Sequence, residues 1–214
     1  MTSPLPALRV FAVIPAAGRS RRMGQPKLLL PLGGRTILAH VLAALDLPEV
    51  VCRAVILRSD DAALRAEAVR CRANVIIPPR DPPDMRASVE CGLAWIQAAQ
   101  QPADHDAWLL LPADHPLLDR GVLAHLLDHF SRFRPAFLVP TFRGRRGHPL
   151  LARWDTVPEL RSLPPDVGLN HLLRQRAGDV RELAVESPTV LCDLDTPEDY
   201  ARLLRQFDAP PTTA

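Results

Sequence analysis

The alternation of short apolar runs with helical patterns is the feature that most constrains the fold of this chain. Apolar runs predict strands at Val10–Pro15, Val51–Arg58, Val75–Ile77, Ala107–Leu111, Phe137–Thr141 and Val180–Val185. Helical periodicity lies between them, at Thr36–Leu45, after Ser59, at Met85–Ala99, Gly121–Phe130 and Gly168–Arg176, and from Pro197 onward. Thr36 and Ser59 are the predicted caps of the first two helices. Such alternation favours a mostly parallel sheet with helices on both faces, and ligands then bind beyond the carboxyl ends of the strands.

Length and composition agree with one globular domain in an α/β, Rossmann-like three-layer sandwich. We predict this domain over residues 1–207, with a disordered tail at 208–214. The 26 Lys and Arg residues are balanced by 24 Asp and Glu, which argues against a nucleic-acid partner. The four cysteines form no CxxC pair, and no signal peptide or membrane-length apolar run is present. We therefore expect a cytoplasmic protein without a membrane partner.

The loop after the first predicted strand, Ala16–Lys27, carries the strongest binding signal. Gly18 and Gly24 let the backbone approach an anion closely and expose N–H groups to it. Small residues at its start leave room for a base or a sugar, and its cationic side chains suit phosphate oxygens. We predict that a nucleoside triphosphate contacts Ala16, Ala17, Gly18, Ser20, Arg22 and Lys27.

This loop differs from two common phosphate-binding motifs. It is not a Walker A loop, because Pro26 precedes Lys27 and Leu28 follows it, and it is not a GxGxxG fingerprint. The alternative interpretation is an ordinary glycine-containing turn with solvated arginines.

Two acidic segments are candidate magnesium ligands. Asp114 lies three residues past the end of the apolar run Ala107–Leu111, where a carboxylate faces the ligand crevice of a parallel sheet. Near the C-terminus, Asp193 and Asp195 precede the last predicted helix. We favour Asp114 and Asp195 as the metal pair, with Asp193 as the alternative. Each has a structural interpretation as well, since Asp114 can stabilise a turn, and Asp195 or Thr196 can cap the helix.

Two further segments are candidates for substrate contacts. Arg86 and Ser88 lie in the first turns of a predicted helix, whose N-terminus attracts anions or a polar base edge. The loop Arg143–Pro149 is strongly cationic, and Arg146 and His148 are the predicted acceptor contacts. Alternatively, Arg86 belongs to a capped amphipathic helix and the cationic loop is a solvated hairpin tip. The roles of His115 and His148 stay open.

The motif A-A-G-x-S-x-R-M-G-x-x-K, followed by Leu29–Gly34, resembles the MobA-like nucleotidyltransferase superfamily. Within it the chain is most similar to the molybdenum cofactor cytidylyltransferases, and D-x-D-T-P-E-D and R-G-H-P also match. The resemblance implies the nucleotide-diphospho-sugar transferase type of fold. It also implies Mg2+, with Asp114 and a C-terminal carboxylate as ligands, and CTP as the favoured substrate.

The implied reaction moves CMP from CTP onto a phosphorylated acceptor, molybdopterin or molybdenum cofactor, and releases pyrophosphate. Catalysis then relies on positioning and charge neutralisation by Arg22, Lys27 and Asp114. A molybdoenzyme that receives the product is the expected protein partner. The alternatives are a guanylyl- or sugar-phosphate nucleotidyltransferase, or a non-catalytic nucleotide-binding accessory protein for a molybdoenzyme.

Overall fold

The computed structural model describes residues 6–164 and 167–208 and confirms the α/β class. The strands are β1 Val10–Pro15, β2 Pro31–Leu32, β3 Arg35–Thr36, β4 Val50–Ile56, β5 Asn74–Ile76, β6 Ala107–Leu110, β7 Phe137–Phe142, β8 Arg145–Arg146, β9 Leu150–Arg153 and β10 Val180–Ala184. The α-helices are α1 Ile37–Ala44, α2 Ala62–Arg70, α3 Met85–Gln100, α4 Arg120–Phe133, α5 Val157–Ser162, α6 Leu169–Gln175 and α7 Pro197–Asp208. Short 3-10 helices cover Lys27–Leu29, Trp154–Thr156, Ala177–Asp179 and Pro188–Leu191.

The main sheet is mostly parallel, as the strand–helix alternation predicts. Its order is β10-β7-β9-β6-β1-β4-β5, and the short β8 pairs with β7. β1 runs parallel to both β4 and β6 at the centre of the sheet, whereas β9 runs antiparallel between β6 and β7. The ends of β1 and β6 therefore open onto the same edge of the sheet. β2 and β3 form a separate antiparallel pair.

Two apolar cores cover the two faces of the sheet and complete the three layers. Ala12 and Ile14 of β1 face the core formed with α1, α2, α4 and α7, whereas Phe11 and Val13 face the core formed with α3, α5 and α6. A strand buried on both faces is a continuous apolar run, which is why β1 is readable from sequence. Gly92 brings α3 close to the sheet, since a Cβ there would lie 2.9 Å from the Val13 side chain.

The structure corrects several local predictions. The Thr36 hydroxyl caps α1 by accepting from the Ala39 amide, as predicted, but Ser59 does not cap α2. That cap is Asp61, whose carboxylate accepts from the amide of Leu64 at 3.3 Å. β9 and α5 were not predicted, because β9 follows the cationic loop after only a few residues and α5 is short.

The predicted disordered tail lies outside the described residues, apart from Asp208 at the end of α7. Among the described residues, no helix is long and apolar enough to cross a membrane.

Candidate active site

A cleft of about 540 Å³ opens at the carboxyl ends of β1 and β6. Its walls are the loop that follows β1, the segment Pro112–Asp114 after β6, and the residues that lead into α3. This is the position at which open α/β sheets bind their ligands. Ala16, Ala17, Gly18, Lys27, Ser88 and Asp114, all predicted site residues, line the cleft.

The loop after β1 is held in shape by its own polar groups. Ser20 has a positive φ of 48°, and its hydroxyl accepts from the Lys27 amide at 3.3 Å. Gly24 has a φ of +66°, a conformation that glycine adopts without steric cost. These features turn the chain back, so that Lys27 begins a 3-10 helix beside the cleft.

Arg58, two residues past the end of β4, supports the same loop and was not predicted as a site residue. Its Nη1 donates to the carbonyls of Ala17 and Gly18 at 2.9 and 3.0 Å, and its guanidinium also pairs with Asp60 and Asp61. The side chain is largely buried and lines the cleft. Its place just past β4, the parallel neighbour of β1, is the only sequence signal of this role.

Lys27 lies at the centre of a charged cluster with two carboxylates. Its Nζ donates to Asp114 Oδ2 at 2.8 Å, to Asp195 Oδ1 at 2.8 Å and to the Leu194 carbonyl at 2.7 Å. Burial alone would lower the pKa of Lys27, but attraction to Asp114 and Asp195 outweighs it and raises the pKa. Arg22 completes the cluster, since its Nη1 lies 3.0 Å from Asp195 Oδ2 while the side chain is 76% exposed.

Asp195 is available for this cluster because other residues cap α7. The Thr196 hydroxyl accepts from the Asp199 amide at 3.2 Å, and the Asp199 carboxylate accepts from the Thr196 amide at 2.9 Å. This reciprocal pair is a capping box. The alternative ligand, Asp193, is exposed. Of the two aspartates, Asp195 is thus the one that meets Asp114 across Lys27.

The donor set of this cluster suits magnesium. Mg2+ prefers oxygen ligands, and it commonly binds through one or two carboxylates together with substrate phosphates. Asp114, which lines the cleft, and Asp195 provide two such carboxylates, both within hydrogen-bond distance of Lys27 Nζ. Within residues 6–164 and 167–208, no group of three or more His, Cys, Asp or Glu side chains forms a protein-only metal site. A metal ion bound here would therefore take its remaining ligands from substrate and water.

Arg86, a predicted nucleotide contact, does not line this cleft. Its guanidinium donates to the carbonyls of Leu163 and Val167 at 2.8 Å each, and its Nε pairs with Glu90 at 2.8 Å. These carbonyls follow the end of α5, where backbone acceptors lack helical partners. Arg86 thus joins α3 to the segment after α5. Ser88 does line the cleft, and its hydroxyl donates to the Asp84 carbonyl at 3.1 Å.

The cationic loop Arg143–Pro149 packs onto the protein at Gly147 and His148. The amide of Gly147 donates to the Pro140 carbonyl at 2.9 Å, and the amide of His148 donates to the Val190 carbonyl at 2.8 Å. A Cβ on Gly147 would lie 2.3 Å from the Val190 carbonyl oxygen, so only glycine fits. Arg146 points elsewhere, since its Nε pairs with Glu182 at 2.7 Å on the surface.

His148 reaches toward Asp114 through a second imidazole. Its ring packs edge to face with His115 at 4.8 Å, and His115 Nε2 lies 3.9 Å from Asp114 Oδ1. Burial lowers the pKa of both imidazoles, that of His148 to about 4 with a further contribution from His115. The Nδ1 atoms of both rings are buried without a hydrogen-bond partner among the described residues. Burial therefore favours the neutral form of both imidazoles.

The mostly parallel sheet with the glycine-containing loop Ala16–Lys27 at the end of β1 agrees with the class of nucleotidyltransferases, and the family match establishes that class. The chain belongs to the family of proteins with a MobA-like NTP transferase domain, whose model matches residues 12–180. The family predicted from the sequence motifs is thereby confirmed.

Three curated relatives match different shares of the chain. A molybdenum cofactor guanylyltransferase of Rhodobacter capsulatus is 28% identical over 91% of this chain and 95% of its own length. A 2-C-methyl-D-erythritol 4-phosphate cytidylyltransferase of Pseudomonas fluorescens is 38% identical over 61% of this chain and 55% of its own length. The bifunctional protein GlmU of Leifsonia xyli is 37% identical over 54% of this chain, which spans only 24% of that protein.

A solved structure is similar to this chain over nearly its whole length. Rv0371c of Mycobacterium tuberculosis has a TM-score of 0.79 and 28% identity, covering 94% of this chain and 100% of that one. The similarity therefore extends across both the central sheet and the C-terminal helix region.

Proposed function

We propose that the protein transfers CMP from CTP to a phosphorylated acceptor, molybdopterin or molybdenum cofactor, in a magnesium-dependent reaction that releases pyrophosphate. The observation that carries the proposal is the convergence of Lys27, Asp114 and Asp195 beside the loop Ala16–Lys27. Lys27 and Asp114, the proposed triphosphate-binding cation and metal-binding carboxylate, thus line one ligand-sized cleft, and Asp195 contacts the same Lys27 ammonium group.

In the proposed reaction an oxygen of the acceptor phosphate forms a bond to the α-phosphorus of the NTP. The bond from that phosphorus to the bridging oxygen breaks, and pyrophosphate leaves with the bonding electrons. Because the attacking phosphate is already anionic at neutral pH, no strong general base is required. The residues act by positioning and by neutralising charge.

Lys27 and Arg22 are the cations that would bind the triphosphate and the departing pyrophosphate. Asp114 and Asp195 would hold magnesium, which would supply neutralisation of the phosphate charge. A structure of the similar Rv0371c, 27% identical to this chain, is described as a complex with manganese, and this supports a divalent cation in the present protein.

The choice of CTP and of molybdopterin is based on sequence resemblance. Ala16, Ala17 and Gly18 match the first loop of the cytidylyltransferases, and Gly147 and His148 match their R-G-H-P segment. We expect the product to pass to a molybdoenzyme in the cytoplasm. GTP is the competing nucleotide, because a guanylyltransferase aligns with nearly the whole chain.

A nucleotide panel tests this proposal. The melting temperature is measured with CTP, GTP, ATP or UTP in the presence of Mg2+, and pyrophosphate release is then measured with molybdopterin. CTP should give the largest shift, with a preference over GTP of about tenfold, or 1.4 kcal/mol. A larger shift with GTP would reassign the base. Nucleotide binding without pyrophosphate release would favour a non-catalytic accessory protein.

A further inference from the structure

A second cavity, of about 470 Å³, lies next to His148 and shares no lining residue with the nucleotide cleft. Its floor is apolar and is formed by Leu110, Val139, Leu150 and Leu173, which belong to the core between the sheet and α6. Its polar lining residues are Arg146, His148, Asn170 and Arg174. An apolar cavity with a few polar groups is typical of a small-molecule site, and its volume lies within the usual range of about 300–1,000 Å³.

His148 connects this cavity to the carboxylate pair. The His148 ring lies 4.8 Å from that of His115, and His115 Nε2 lies 3.9 Å from Asp114 Oδ1. The His148–His115 pair therefore lies between the wall of this cavity and Asp114 of the charged cluster, although the cavity lies outside the nucleotide cleft. A transferase needs two binding sites that meet at the reacting phosphorus, because both substrates must be held in line.

Helix α6 supplies polar groups that suit a heterocycle with an anionic substituent. The Asn170 amide offers a donor and an acceptor side by side, which matches the edge of a ring that contains an amide. Arg174 has no carboxylate within 4.0 Å among the described residues, whereas Arg146 is paired with Glu182 at 2.7 Å. Arg174 is therefore the guanidinium more readily available to a ligand.

We propose that this cavity binds the acceptor and that Asn170 and Arg174 are its principal polar contacts. The chemical class of ligand is a flat heterocycle that carries an anionic group, with its ring face on the leucine and valine floor. This inference rests on the proposed function, since it assigns the acceptor site of that reaction. It also replaces Arg146 by Arg174 as the cation that contacts the acceptor.

Direct binding of a model ligand tests the site independently of catalysis. Pterin-6-carboxylate is a fluorescent, flat, anionic heterocycle, and its binding to the full-length protein is followed by fluorescence titration. The variants are Asn170→Ala and Arg174→Ala, both at exposed positions, with Arg132→Ala as the control on α4. Wild type and Arg132→Ala should bind the pterin equally. Loss of the Arg174 contact should weaken binding about tenfold or more while the melting temperature stays unchanged.

A transfer assay with the same variants separates this inference from the proposed function. Arg174→Ala should raise the KM for molybdopterin about tenfold, and kcat and the KM for CTP should stay as in wild type. Transfer with an unchanged KM for molybdopterin would overturn the assignment of the cavity and leave the reaction intact. Saturable pterin binding that Arg174→Ala weakens, without any transfer, would support the cavity and refute the reaction. Absence of saturable pterin binding to wild type would overturn the inference.

Discussion

Substitution of Asp195 by Asn tests whether this carboxylate belongs to the reaction centre. Its Oδ1 accepts from Lys27 Nζ at 2.8 Å, and its Oδ2 lies 3.0 Å from Arg22. Asn keeps the shape of the side chain but removes the negative charge. Lys27 would still donate to Asp114 and to the Leu194 carbonyl. The folded state should therefore survive the substitution.

The expected effects on stability and on catalysis differ in size. A hydrogen bond to a charged group contributes about 1.5–3 kcal/mol when it is shielded from water. Asp195 is 41% exposed, however, and solvent screening reduces its contribution to stability to about 1 kcal/mol or less. Loss of transition-state charge stabilisation is not reduced in the same way and costs about 3 kcal/mol or more. This corresponds to a decrease of more than about 100-fold in kcat.

The assay compares Asp195→Asn with Asp193→Asn, a matched change at an exposed aspartate two residues away. Pyrophosphate release is measured for both variants with molybdopterin as the acceptor, at saturating CTP and Mg2+, and the melting temperature of each variant is measured as well. Asp195→Asn should lose activity with a small change in melting temperature, and Asp193→Asn should resemble wild type. Loss of activity in Asp193→Asn alone would refute the assignment of Asp195.

Three other substitutions follow from the contacts described above. Arg58→Gln should weaken CTP binding about tenfold, because the carbonyls of Ala17 and Gly18 lose the guanidinium that donates to them. Calorimetry measures the affinity, and an unchanged affinity would exclude this supporting role. The pKa of His148 falls from about 6.5 in the unfolded chain to about 4 in the folded protein. Between these two values only the unfolded chain takes up a proton, so the free energy of unfolding decreases as the pH falls from about 6.5 to about 4. Wild type should lose about 2 kcal/mol more unfolding free energy between pH 7 and pH 5 than His148→Gln in denaturant titrations, and equal losses would contradict the low pKa. Gly147→Ala should destabilise the protein by about 1–3 kcal/mol. The control is Gly178→Ala, whose Cβ would meet no atom within 4 Å and whose backbone is not left-handed, and a lower melting temperature for Gly178→Ala than for Gly147→Ala would argue against this packing.

The centre of the fold was predictable because β1 and β6 are buried on both faces. β1 and β6 are continuous apolar runs, and each is followed by a segment with a distinct composition, Ala16–Lys27 or Pro112–Asp114. Parallel strands open at one edge, so the proximity of these two segments follows from the topology. β9 was missed because its position between β6 and β7 depends on a chain reversal that periodicity does not reveal.

Individual arginines were the least predictable part of the site. Arg86 and Arg146 lie in segments that suit anion binding, yet each is committed to a structural contact, with carbonyls after α5 or with Glu182. Arg58 and Arg174 carry no local motif, and their positions beside the cleft and the second cavity come from packing between distant elements. A guanidinium on a long side chain can reach many partners, and only the tertiary structure determines which one it contacts.

The fate of each phosphate of CTP tests the proposed transfer most directly. The protein is incubated with molybdopterin, Mg2+ and CTP labelled with ³²P at either the α or the γ position, and the products are separated by chromatography. The α label should move to a conjugate of CMP and molybdopterin, and the γ label should appear only in pyrophosphate. Both labels should remain in CTP when Asp114→Ala replaces wild type. Release of the γ label as orthophosphate, or an α label that never enters the pterin product, would contradict nucleotidyl transfer by this site.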